Sequence, residues 1–265
     1  MRRLSYCLIV IGTLSFAALP AHGQGVLFLQ KETRGGQTTN TQIQMDKDHI
    51  RIESRSSGDE SAFVFDGPKQ VARMINITKK TYTEMSKSDL DQTRNQMNSA
   101  MAQMEAQMRG LPPDQRAMME AMMRGRGMPG MAAAPPKVEY RQTGTDKVGQ
   151  WTCTKYEGSV AGQKTTELCA VDPKEFGLTP ADFETARQLS EFMKSIMPQA
   201  TDAAFVNGTA QEGFSGVPVR RASFRNGALE SVTEITEVRK QAFPASTFEA
   251  PAGFRKEAMP GGERR

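Results

Sequence analysis

The sequence predicts an α+β fold, an antiparallel β-sheet with helices packed across one face, and three observations carry that expectation. Short runs of alternating apolar and polar residues, each closed by turn chemistry, occupy much of 25–85 and 217–238. Two stretches, within 86–127 and 179–198, switch to apolar spacings of three and four, the period of an amphipathic helix. Between them, Cys153 and Cys169 bracket a segment that reads as a hairpin.

Taken in order, the first 23 residues read as a secretory signal peptide. Arg2 and Arg3 form the basic front, 5–18 the apolar stretch, and Ala21-His22-Gly23 the small-x-small cleavage site. The mature chain is expected to start near Gln24, in the periplasm or outside the cell. A membrane span needs about 20 apolar residues, and neither this stretch nor any later one reaches that length, so membrane contact is expected to be peripheral at most. Cys7 leaves with the leader. Removing it leaves 242 of the 265 residues, enough for one domain with a substantial core. The expected organisation is a leader at 1–23, a single domain at 24–254 with a Met-rich helical insertion at 86–136, and a disordered tail at 255–265.

Strands are expected at 25–32, 38–45 and 49–54, separated by Arg34-Gly35-Gly36 and Asp46-Lys47-Asp48. Ala62-Phe63-Val64-Phe65 runs into Asp66-Gly67-Pro68, and strands at 70–77 and 80–85 complete an antiparallel meander. At Ser86 the character changes. Ser88 and Asp91 resemble a capping box, and Leu90, Met97, Met101, Met104 and Met108 draw one apolar stripe along a helix. Gly110-Leu111-Pro112-Pro113 stops it; a second helix follows from 113 to Gly125 and Gly127, and a Gly/Pro/Ala linker fills 128–136.

Strands resume at 138–142 and lead into strands at 151–157 and 163–171, with Ser159-Val160-Ala161-Gly162 as the hairpin loop. A hairpin symmetric about Ala161 sets Cys153 directly opposite Cys169, within reach of a bridge. In an oxidising compartment one disulfide is the simplest reading; a redox or metal-binding pair is the competing one, although no CxxC is present and His49 is the only histidine outside the leader. Thr179-Pro180-Ala181-Asp182 opens a third helix with Phe183, Ala186, Leu189, Phe192, Met193 and Ile196 on one face. A last hairpin pairs 217–224 with 229–238 around Asn226-Gly227.

Charge narrows the function. The mature chain carries 32 basic groups against 30 acidic ones, and its basic residues gather only in a short tail, Arg255-Lys256 and Arg264-Arg265, of the kind that is ordinarily a solvated end, so a nucleic-acid partner is not expected. Neither a Gly-rich phosphate loop nor a GxSxG elbow occurs. His49 sits in an alternating strand, where a surface or core role is the ordinary one, so no enzyme and no cofactor are expected.

The segments Val148-Gly149-Gln150-Trp151-Thr152-Cys153-Thr154-Lys155-Tyr156-Glu157, Cys169-Ala170-Val171 and Phe176-Gly177-Leu178-Thr179-Pro180-Ala181-Asp182-Phe183 resemble bacterial domain-of-unknown-function family 4412. So do Gly216-Val217-Pro218-Val219 and Phe248-Glu249-Ala250-Pro251-Ala252-Gly253-Phe254. The resemblance covers most of 25–254 and implies the architecture of the LolA and LolB lipoprotein carriers: a curved antiparallel sheet, a half-barrel, that wraps apolar ligand while helices close its open side. It implies no catalytic residues. The expected partner is an apolar small molecule or lipid, or an envelope protein, held between sheet and helices. Met97, Met101, Met104, Met108, Phe183, Leu189 and Phe192 are the candidate contacts, because thioethers adapt to varied apolar shapes. The same spacing is also what plain packing demands. Eleven of the 17 methionines fall in 85–131, and since thioethers select Cu(I), copper binding is the alternative.

Overall fold

The computed structural model describes residues 24–110, 112, 115, 137–196, 208 and 213–258. Twelve strands form one open, curved, mostly antiparallel sheet. The meander supplies β1 (Gln24–Arg34), β2 (Gln37–Met45), β3 (His49–Ser56), β4 (Asp59–Asp66), β5 (Val71–Asn76) and β6 (Thr81–Ser86). The second block supplies β7 (Glu139–Val148), β8 (Trp151–Val160), β9 (Gln163–Val171), β10 (Val217–Arg225) and β11 (Ala228–Ala242), and a short β12 (Arg255–Lys256) follows near the C-terminus. The order across the sheet is β12-β6-β5-β4-β3-β2-β1-β11-β10-β9-β8-β7, so β1 and β11 zip the two blocks together. Asn226 and Gly227, both at positive φ, make the β10–β11 turn that the sequence predicts.

Each face of the sheet buries apolar side chains. On the helix face, Val26, Phe28, Met45, Ile50, Phe65, Val217 and Val219 belong to one large core with both cysteines. Helix α2 (Glu184–Ile196) seats on that core through Leu189 and Phe192, and Phe183 joins them from the preceding 3-10 turn. The Phe192 ring lies 5.1 Å from that of Phe65, and the buried Thr185 hydroxyl donates to Asp46 O at 2.9 Å. Asp182 opens this element by accepting from the Thr179 N–H at 2.7 Å and the Thr179 hydroxyl at 2.8 Å.

The opposite, strap face is crossed by the C-terminal segment. From the end of β11, Phe243 and Phe248 cover Leu27 and Val64, and the chain then reaches the far edge of the sheet, where β12 pairs in parallel with β6. Arg51 holds the crossing with a hydrogen bond from Nη1 to Thr247 O at 3.4 Å, and Lys256 pairs with Glu84 at 2.8 Å.

Several expectations need correction. The start of the tail expected to be disordered over 255–265 pairs with β6 instead, because Arg255 and Glu257 donate their N–H groups to Lys80 O and Tyr82 O, and 259–265 lie outside the described residues. The four-residue loop is a two-residue turn, Ala161-Gly162, both at positive φ, and a bulge at Gly158/Ser159 shifts the pairing so that Lys155, not Cys153, stands opposite Cys169. The disulfide forms all the same: Cys153 lies one pleat along on the same face, with its Cα 5.3 Å from that of Cys169. Strand β7 runs on to Val148, carried past its expected end by a bulge at Gln142/Gly144. Helix α1 (Lys87–Arg109) is capped two residues earlier than expected. Asp89 Oδ2 accepts from Ser86 N at 3.0 Å, and Asp89 N donates to Ser86 Oγ at 3.2 Å.

Of the helices expected across one face, α2 makes the contacts described. Leu90, in the first turn of α1, packs against the same core, while most of the described side chains beyond it are exposed. The second helix expected from 113 to 127 lies outside the described residues apart from position 115, and so do the linker at 128–136 and the leader.

Candidate functional site

Strand register places the apolar residues of the helix face in rows. The row beneath α2, Val26–Met45–Ile50–Phe65–Ala72, is fully buried. The next row, Phe28–Ile43–Ile52–Phe63–Met74, is not covered evenly. Phe28 and Ile43 are 0 % and 2 % exposed, Ile52 and Phe63 are half-buried, and Met74 is 62 % exposed. A third row, Gln30–Thr41–Ser54–Ser61–Asn76, is polar and borders the strip. The middle row crosses four strand spacings, about 19 Å, so it forms an apolar track that starts inside the core and opens toward β5.

The candidate contacts divide accordingly. Phe183, Leu189 and Phe192 come together at the helix face but are spent on core packing, at 7 %, 7 % and 2 % exposed. Met104 is half-buried on α1, and the side chains of Met97, Met101 and Met108 lie outside the described residues. Ile52, Phe63 and Met74 were missed by sequence reasoning. Their signal was available in the alternation of β3, β4 and β5, but only the pairing aligns them.

A charged cluster at the ends of β2, β3 and β4 belongs to the strap face. His49 stacks on Phe248 with ring centroids 5.0 Å apart, its Nδ1 is 3.1 Å from Asp46 Oδ1, and its Nε2 is 3.9 Å from Asp66 Oδ2. Burial pushes the Asp66 carboxyl up, but hydrogen bonds from Lys69 Nζ and Lys69 N outweigh it and hold the group below the ordinary carboxylate range. A carboxyl lowered on folding stabilises the fold above its unfolded pKa, and that contribution disappears as pH falls through the folded value. The stability gap between wild type and Asp66→Asn is therefore expected to be full above about pH 4 and to close below it, as read by urea unfolding across a pH series. No group of three or more His, Cys, Asp or Glu residues is arranged for a metal ion among the described residues.

The class the structure defines is architectural: an open, curved, mostly antiparallel sheet with helix α2 seated on one apolar face. The chain belongs to the domain-of-unknown-function family DUF4412, whose model matches residues 87–254. Among solved structures it is similar to an uncharacterized conserved protein from Thermus thermophilus, at 9 % identity and a TM-score of 0.45, covering 90 % of this chain and 91 % of that one. A DUF1329 family protein from Desulfovibrio piger matches at 9 % identity and a TM-score of 0.17, covering 87 % and 91 %. No curated protein matches. Among the described residues no helix is long and apolar enough to cross a membrane.

Proposed function

We propose that this chain is an exported, non-enzymatic binding protein of the bacterial periplasm that holds an apolar ligand, a lipid or lipid-like chain, against the helix face of its sheet. The observation that carries the reading is the graded exposure of the Phe28–Ile43–Ile52–Phe63–Met74 track beside α2. A saturated chain gains about 0.8 kcal/mol for each methylene it buries, so a track of this length offers substantial affinity before ordering costs. The LolA and LolB carriers are the functional analogy, and an envelope protein presenting an apolar segment is the other partner of the same chemistry. The His49 ring stacks on Phe248 and its Nδ1 lies 3.1 Å from Asp46 Oδ1, contacts that tie the strap to the β2–β3 turn and fit a structural role.

Protein purified from the periplasm and extracted with organic solvent is expected to release lipid detectable by mass spectrometry, and Phe63→Ser to release less. Protein that is empty both as purified and after challenge with palmitate contradicts the reading. Copper remains the second reading through α1, because a continuous helix over Lys87–Arg109 sets positions 97, 101, 104 and 108 on one face. Competition with a Cu(I) chelator by the purified protein would favour it over the lipid.

A further inference from the structure

On the strap face, away from Phe248, β1, β2 and β3, with Thr236 of β11 at one side, frame an open trough of about 280 Å³. Two rows floor it. Lys31, Asn40 and Arg55 stand side by side on neighbouring strands, and Leu29, Gln42 and Glu53 form the row next to them. The Glu53 carboxylate is already taken: Arg51 donates from Nε at 3.1 Å and Nη2 at 2.8 Å, and Arg55 from Nε at 3.1 Å and Nη2 at 2.6 Å. These two guanidiniums outweigh burial and hold the carboxyl below its ordinary range, so Glu53 stays charged and does not itself seek a partner.

What remains around the trough is a set of donors and amides. Lys31 Nζ, Arg55 Nη1 and the Asn40 and Gln42 amides have no hydrogen-bond partner among the described residues. Lys31, Arg51 and Arg55 face Glu53 and Glu60, the latter 3.8 Å from Arg55 Nε, while Glu234 and Glu237, opposite Lys31 and Leu29 on β11, are each held by an arginine of their own, Arg220 at 3.5 Å and Arg239 at 3.1 Å, which leaves one positive charge in excess. One excess charge suits a single anionic group rather than a polyanion. Two amides beside it suit hydroxyl groups, which both donate and accept, and Leu29 offers the apolar patch that a ring's C–H face covers. At about 280 Å³ the trough falls just below the range of about 300–1,000 Å³ typical of drug-sized ligands, which limits its occupant to a single ring.

We propose that the trough binds an acidic saccharide, a sugar ring bearing one carboxylate. The carboxylate lies between Lys31 Nζ and Arg55 Nη1, over Asn40, and the ring hydroxyls meet the Asn40 and Gln42 amides. Nothing in this assignment depends on the lipid track, which lies on the other face of the sheet.

NMR titration of the mature chain with sodium glucuronate tests it, with glucose and sodium acetate as separate probes. Saturable glucuronate binding is expected, with shifts centred on 29–31, 40–42 and 53–55. Acetate and glucose, each offering half of the recognised chemistry, are expected to bind at least about tenfold more weakly, and Arg55→Gln and Lys31→Gln to weaken glucuronate binding by about tenfold. Both side chains are exposed, so the variants are expected to keep the wild-type amide spectrum outside the trough. Glucuronate that fails to saturate, that binds the two variants as it binds wild type, or that is matched by acetate overturns the proposal.

Discussion

Phe192→Ala is expected to destabilise the protein by about 3–5 kcal/mol, the range for deleting a buried aromatic ring. The reason is position. Phe192 is 2 % exposed, and its ring meets Phe65, itself 0 % exposed, in the row that floors the helix face. Removing it leaves a hole over Phe65 that the backbone of the sheet, fixed by pairing with β3 and β5, cannot collapse to fill. Urea unfolding measures the change as a lower midpoint at unchanged slope. Glu191→Ala, one residue away on the exposed side of α2, serves as the control and is expected to stay within about 0.5 kcal/mol. A loss under about 1 kcal/mol for Phe192→Ala would mean that α2 is not seated as described.

The second large effect is loss of the disulfide. Cys153 and Cys169 are 3 % and 4 % exposed, and their bond closes a sequence separation of 16 residues. In the chain-entropy model that loop is worth about 3 kcal/mol. The double change to alanine keeps the site apolar, so the measured loss reports the cross-link rather than a buried hydroxyl. For a chain of this size the thermal midpoint is expected to fall by roughly 6–12 °C. Reduction of the wild type under native conditions should reproduce it, whereas an unchanged midpoint in both would remove the bond from the stability of the hairpin.

How far the sequence reveals this fold depends on where each element gets its stability. Alternation made most of β1 to β6 readable, with Gly or Asp at the turns that end β1 to β4, but only the second half of β4, 62–65 of Asp59–Asp66, was expected, because its first residues are polar. Asn226-Gly227 was legible because few other pairs adopt positive φ at both positions cheaply. Register was not. Symmetry about Ala161 placed Cys153 opposite Cys169, but Ala161 itself takes a positive φ and a bulge lies at Gly158/Ser159, so the true opposite of Cys169 is Lys155. Two overlapping capping signals begin α1, and the one that adjoins the strand end, Ser86 with Asp89, is used.

The path of the C-terminal strap was hidden for a different reason, although the resemblance had singled out Phe248 to Phe254. Its residues lack any period, and they are held by contacts to positions far away in sequence, Phe248 to His49 and Arg51 to Thr247 O. Both candidate sites share that property. Ile52, Phe63 and Met74 read as ordinary inward positions, and Lys31, Asn40 and Arg55 as ordinary outward ones, until pairing sets each trio side by side. Leu189 and Phe192, chosen from helical spacing as ligand contacts, are core residues, because the spacing that would line a cavity is the same spacing that fills one.

The central claim is that the half-covered track beside α2 is where an apolar chain rests. Photo-crosslinking with a palmitate analogue bearing a diazirine, followed by peptide mapping, tests it most directly. Adducts are expected on Ile52, Phe63 and Met74. Adducts confined to the strap face, or none at saturating palmitate, would contradict it.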